Sequence, residues 1–152
     1  MSEIVNKIKQ ELANFNEKKK ALVEDLRKEF PSLFKELFEK SKKIESISWT
    51  QYTPYFNDGD ECIFEVHTDY LDVNGEDVRK LDWYDYRIKY EKYHKELTEE
   101  GKVDWAECRI LLDFKELLET IPTEFYEDLF GDHAQVTVYK DGRIEVEEYD
   151  HD

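Results

Sequence analysis

The chain holds 152 residues, carries a formal net charge of −16, and is 39% hydrophobic and 14% aromatic. That length suits one domain with its own core, and ten Tyr, nine Phe and three Trp are too many large apolar groups for a disordered chain. The acidity excludes direct binding to nucleic acid or anionic lipid, no apolar run approaches the roughly 20 residues of a membrane span, and the start MSEIVNKIKQ has no signal-peptide core, so a cytoplasmic protein is expected.

Residues 1–43 hold 11 Lys/Arg and 8 Asp/Glu, net +3, whereas residues 44–152 hold 11 and 30, net −19. We read a single domain, 1–152, with a helical N-terminal part to residue 43 and an acidic α+β body beyond it. Ser2 caps a long helix to about Phe30. Its apolar stripe is Ile4, Ile8, Leu12, Phe15, Leu22, Leu26 and Phe30, widened by Val5 and Val23. The stripe has too few heptads to define a coiled coil from sequence, but it must pack on the domain or on a second copy. A homodimer through residues 3–30 is therefore one structural alternative. Pro31 is expected to end the helix at Phe30, and Ser32 to start a second one to about Lys43, with Leu33, Phe34, Leu37 and Phe38 inward.

A β-hairpin comes next. Ile47–Tyr52 and Cys62–His67 alternate with period two, and Asn57-Asp58-Gly59-Asp60 between them is turn chemistry. Tyr55 and Phe56 are unusual in such a loop and are either pinned to the domain or offered to a partner. Residues Thr68 to Lys102 resist placement, apart from the turn at Asn74-Gly75. Asp82 can cap a helix that carries Trp83, Tyr86, Tyr90, Tyr93 and Leu97 at helical spacing, as core or as a half-wet interface. Asp104 to Ile121 reads as a helix ended or bent by Pro122, and Thr123 to Phe130 as a short one closed by Gly131. In the tail, Ala134, Val136 and Val138 alternate with Gln135, Thr137 and Tyr139. Asp141-Gly142 then turns the chain into a strand with Ile144 and Val146. The expected fold is α+β: an antiparallel sheet of about four strands in two hairpins, with amphipathic helices on one face.

Patterns of known chemistry are sparse. No GxxxxGK, GxGxxG or GxSxG occurs, Cys62 and Cys108 are 46 positions apart, and the histidines do not pair at ligand spacing. No cofactor, metal site or catalytic residue is predicted, and the two cysteines read as reduced core thiols. Asp58, Asp60 and Glu61 share a loop but lack the spacing of a calcium loop.

The run SWTQYTPYFNDGDECIFEVH resembles a motif of uncharacterised small proteins of phage and bacterial genomes, over about 20 of the 152 residues. The resemblance implies a phage source and a host cytoplasm, and brings no activity with it. Small acidic phage proteins are similar, as a broad class, to inhibitors that block a host enzyme, including those that imitate DNA. The leading expectation is accordingly a non-enzymatic, acidic protein-binding module that occupies a basic site of a host protein. Its candidate contacts are Tyr55, Phe56, Asp58, Asp60, Glu61, Trp83, Tyr86, Tyr90, Tyr93, Glu145, Glu147 and Glu148. Glu145, Glu147, Glu148, Asp150 and Asp152 are read as one exposed acidic edge. The alternative is a small-ligand or nucleotide binder, or enzyme, built around a cup between sheet and helices.

Overall fold

Residues 2–56, 58–89 and 102–151 are described by the structure, a computed structural model. The chain divides into two units, Met1–Phe30 and Pro31–Asp152.

The first unit belongs to one helix, α1 (Glu3–Leu33). Ser2 opens it as expected: its hydroxyl accepts from Val5 N–H at 3.4 Å and its carbonyl from Asn6 N–H at 3.4 Å. The expected stop at Phe30 is displaced, because Pro31 lies inside the helix. So near the C-terminus a missing N–H interrupts only the last turn, and α1 closes two residues later. Within the predicted stripe, Ile4, Ile8, Leu12, Phe15 and Leu22 remain exposed, whereas Val23 and Phe30 are buried.

The second unit is built on a five-stranded antiparallel sheet in the order β3-β2-β1-β4-β5, with β1 (Ser46–Tyr52) at its centre. The two expected hairpins are β1 with β2 (Glu65–Val73) and β4 (Ala134–Tyr139) with β5 (Ile144–Glu148), and β1 also pairs with β4. The fifth strand, β3 (Glu76–Asp77), is reached through Asn74 (φ 55°) and Gly75 (φ 81°), two left-handed residues that close a two-residue hairpin loop. β2 begins at Glu65 rather than Cys62 and runs on through the stretch that sequence reading left unplaced. The cause is a register irregularity opposite Ser48–Thr50. It buries Thr68, Leu71 and Val73 while exposing Asp69 and Tyr70, which erases the period-two signal.

Among the described residues, three further helices belong to the unit: α2 (Lys35–Lys40), α3 (Trp105–Thr120) and α4 (Thr123–Phe130). α2 is shorter than expected at both ends. α1 occupies Ser32 and Leu33, and Ser41 turns extended, its hydroxyl donating to the buried Glu107 carboxylate at 2.5 Å. Asp104 caps α3 by accepting from Glu107 N–H at 3.2 Å. The helix expected from Asp82 is not found among the described residues. Two 3-10 turns, Val78–Lys80 and Tyr86–Lys89, stand there instead. Each is nucleated by an Asp-x-Arg pair: Asp77 accepts from Arg79 N–H at 2.8 Å and Asp85 from Arg87 N–H at 2.9 Å. Tyr90, Tyr93 and Leu97 lie outside the described residues.

The core sits on the inner face of the sheet, where Ile47 and Trp49 of β1 join Val73, Val136 and Val138. The helices bring Phe34, Phe38, Phe114 and Tyr126, with Phe38–Phe114 centroids 4.9 Å apart and Trp49–Tyr126 6.0 Å apart. One polar side chain lies among them. Gln51 is fully buried, and its amide donates to Tyr126 O at 2.8 Å and Gly131 O at 2.7 Å while accepting from Trp49 Nε1 at 3.1 Å. Gln51→Leu keeps the volume and strands three polar groups, so it should cost about 2–4 kcal/mol. Urea unfolding measures this, and an unchanged midpoint would refute the assigned role.

Candidate functional site

The face of the sheet turned away from α2, α3 and α4 is polar and acidic. Cross-strand register places Asp77, Asp72, Ser48, Thr137 and Glu145 in one row over five strands. Gln135 and Glu147 stand opposite each other in the next row. Hydrogen bonds tie the rows together: Thr137 Oγ1 to Ser48 Oγ at 3.1 Å, Gln135 Nε2 to Ser48 Oγ at 3.2 Å and to Asp72 Oδ2 at 3.4 Å. Burial, followed by the Asp77 carboxylate, raises the Asp72 pKa above the usual carboxylate value, and Lys80 offsets this only partly. Asp77 is instead held down at about 2 by hydrogen bonds from Arg79. Tyr139 donates to Glu145 Oε2 at 2.9 Å, which raises the phenol's pKa and fixes the carboxylate beside the β4–β5 turn.

The predicted acidic edge divides here. Glu145 and Glu147 face outward with Thr137 and Gln135, but Glu148 stands opposite Ala134, which is buried on the inner side. The pleat therefore sends Glu148 to the other face, and the three residues are not one surface. Asp150 is exposed beyond the strand, and Asp152 is outside the described residues.

The loop between β1 and β2 meets this face at one end. Tyr55 is 60% exposed, yet its ring stacks on His151 at 4.3 Å and His133 at 5.0 Å. Phe56 is 78% exposed, and Asp58, Asp60 and Glu61 are exposed beyond it. Tyr55 is thus pinned by its ring contacts, and Phe56 is exposed. Sequence reading treated the histidines as unrelated, but the structure brings three of them together. His133 Nδ1 and His151 Nε2 are 2.7 Å apart, and Tyr52 stacks on His151 at 3.7 Å and on His67 at 4.4 Å. Burial, with Tyr149 and Glu65 next, raises the Tyr52 pKa. The signal was present in the β4–β5 register, which carries His133 opposite Tyr149: Tyr149 N–H donates to His133 O at 2.7 Å. Asp132 fastens the same corner, accepting from Thr53 N–H and Oγ1 at 2.7 Å each and from His133 N–H at 2.8 Å. Burial raises its pKa, but these hydrogen bonds outweigh burial and leave it below the usual value.

Of the predicted aromatic stripe, only Trp83 and Tyr86 are among the described residues. Trp83 is half-buried under Lys43, whose Nζ lies 5.4 Å from the ring centroid, and its carbonyl accepts Asp104 N–H at 2.9 Å. Tyr86 is exposed on the second 3-10 turn, at the rim of a cavity of about 320 Å³ between β2, the turns and α3. Tyr84, Ile88 and Leu111 line it, with the cations Lys89 and Lys115 and the carboxylate of Asp69, 3.3 Å from Lys115 Nζ. Burial pushes the Tyr84 phenol up to about 12 and the Cys108 thiol in the cavity wall up to about 11, so that thiol is not a nucleophile near neutral pH. Among the described residues no group of three or more His, Cys, Asp and Glu side chains is placed to hold a metal ion.

Fold and surface together define an α+β protein with a polar, acidic sheet face, an aromatic–histidine corner and a modest cavity. Comparison with protein-family models, with curated proteins and with solved structures finds no match to this chain.

The lowered pKa of Asp132 fixes the sign of a pH effect. Its stabilising contribution is complete above the unfolded-state value near 4 and is lost as pH falls through the lower folded value. Asp132→Asn should therefore destabilise the protein by about 1 kcal/mol at neutral pH, and by clearly less once pH falls below the folded value. Urea unfolding at both acidities checks it; an equal loss at both would contradict the assignment.

Proposed function

We propose that this chain is an acidic protein-binding module that occupies a basic site on another protein through the outer face of its sheet. The observation that supports it best is the row of carboxylates contributed by β3, β2 and β5 across one face. That row sits in a unit in which Asp and Glu far outnumber Lys and Arg. Carboxylates fixed on a sheet are preorganised, so binding need not order them, and a negative face accelerates encounter with a positive one. An inhibitor that fills a nucleic-acid-binding site of a host enzyme, in a phage-encoded setting, is the sharpest form of this reading. DNA mimicry would then be its mechanism, with carboxylates standing where phosphates bind. Phe56, exposed in the β1–β2 loop, adds an apolar contact, and no catalytic residue is assigned.

Capture of partners at about 0.05 M and about 0.5 M salt, with wild type and the Asp72→Asn/Glu145→Gln/Glu147→Gln variant, tests the proposal. A basic partner should be held by wild type at low salt, released at high salt and missed by the variant. Capture that survives both salt and the variant would overturn it.

A second reading rests on the cavity, whose size is at the lower end for small-ligand sites and whose lysines suit an anionic ligand. It predicts a thermal shift with a nucleotide that Leu111→Trp abolishes. No shift across a nucleotide panel would remove this reading.

A further inference from the structure

The exposed stripe of α1 carries a heptad register. With Val5 as position a, positions a and d alternate as Val5, Ile8, Leu12, Phe15, Lys19 and Leu22. Ile8, Leu12, Phe15 and Leu22 are each about half exposed or more, which is costly for four large apolar side chains on one helix. A second copy of α1 offers a stripe of matching heptad pattern.

Charge selects the partner, its direction and its register. In a parallel, in-register pair, position a would set Lys19 against Lys19 of the second copy. The flanking residues would meet as Glu11 with Asn16 and Lys18 with Val23, so no ion pair forms. In an antiparallel pair, a residues pack on d residues of the other chain, and g positions face g positions. Centred between Ala13 and Asn14, this arrangement gives six layers: Val5 on Leu22, Ile8 on Lys19 and Leu12 on Phe15, each twice by symmetry. Lys19 then lies against Ile8, where its alkyl stem covers apolar surface and its ammonium reaches water. The g positions bring Glu11 against Lys18 twice. The outer pair, Ile4 with Asp25, has no charge match. Sliding the helices by one heptad either way is worse, because the facing pairs become Lys18 with Lys18 and Glu11 with Asp25, or Glu11 with Glu11. Of these three registers, this one alone pairs all six a and d layers, four of them wholly apolar, with complementary charges on the flanks.

We propose that two copies of this chain associate through α1 as an antiparallel helix pair centred between Ala13 and Asn14, with Glu11 of each copy against Lys18 of the other. The contact is independent of the acidic-face reading.

Analytical ultracentrifugation of the full chain tests this through a charge swap. Wild type should dimerise at concentrations of up to about 100 µM. Glu11→Lys and Lys18→Glu should each weaken the dimer about tenfold, because each replaces two attractions by two repulsions. The double variant Glu11→Lys/Lys18→Glu should return it to near the wild-type level. Far-UV circular dichroism confirms that α1 remains helical in all three. A wild-type monomer throughout this range would overturn the proposal. A double variant no tighter than the singles would overturn the antiparallel register.

Discussion

The structure of the second unit turns on one buried amide. Gln51 stands at the end of the central strand, and its three hydrogen bonds reach Trp49 on its own strand, Tyr126 in α4 and Gly131 just beyond it. An amide left unsatisfied in that position would cost several times the ordinary net value of a hydrogen bond, so α4 and its exit are placed to within hydrogen-bonding tolerance. The segment after α4 inherits that placement. Gly131 takes φ 90°, Asp132 then caps Thr53, and His133 at φ 52° enters the stack with Tyr55 and His151. The polar contact in the core thus sets the corner where the hairpin loop, the start of β4 and the C-terminal tail meet.

Electrostatics is divided between the two faces of the sheet. Lys115 pairs with Asp69 at 3.3 Å, and Lys43 with Asp104 at 3.3 Å, beside the helices. Arg79–Asp77 and Arg87–Asp85 are pairs two residues apart that lock turns. Each such surface pair contributes at most about 1 kcal/mol, and none alters the overall excess of acid. On the outer face Asp72 titrates high chiefly because it is partly buried, with the Asp77 carboxylate second and Lys80 offsetting only part of this.

Much of the fold was legible because periodicity and turn chemistry agreed. The Asp141-Gly142 hairpin, the helix read from Asp104 to Ile121 and the alternation of Ile47–Tyr52 all arise from local pattern, and the structure supplies the Asp104 cap and the inward side of Ile47, Trp49 and Gln51. β2 was lost beyond His67 because a register irregularity breaks alternation, and β3 because two residues carry no periodic signal. Over the described residues 82–89, 3-10 geometry stands in place of the helix expected from Asp82 for a different reason. Asp77 and Asp85 each bind an Arg two residues on, and that local bond favours a tight turn over a longer helix. The candidate site was less legible. Asp72 and Asp77 meet across a local two-residue loop, but Glu145 joins their row only through the pairing of β1 with β2 and β4, and the split of Glu148 from Glu145 and Glu147 needs the register against Ala134. The aromatic–histidine corner gathers residues from 52 to 151, which no local window contains.

If the outer sheet face, rather than the cavity, meets the partner, a basic ligand must perturb that face first. The most direct measurement is an amide-resolved NMR titration of the labelled protein with a Lys/Arg-rich peptide at low salt. Saturable shifts are expected at Asp72, Ser48, Thr137, Glu145 and Glu147, and they should vanish when salt is raised. Shifts confined to the cavity residues Tyr84, Ile88 and Leu111, or scattered evenly over all exposed carboxylates, would contradict a binding role for the sheet face.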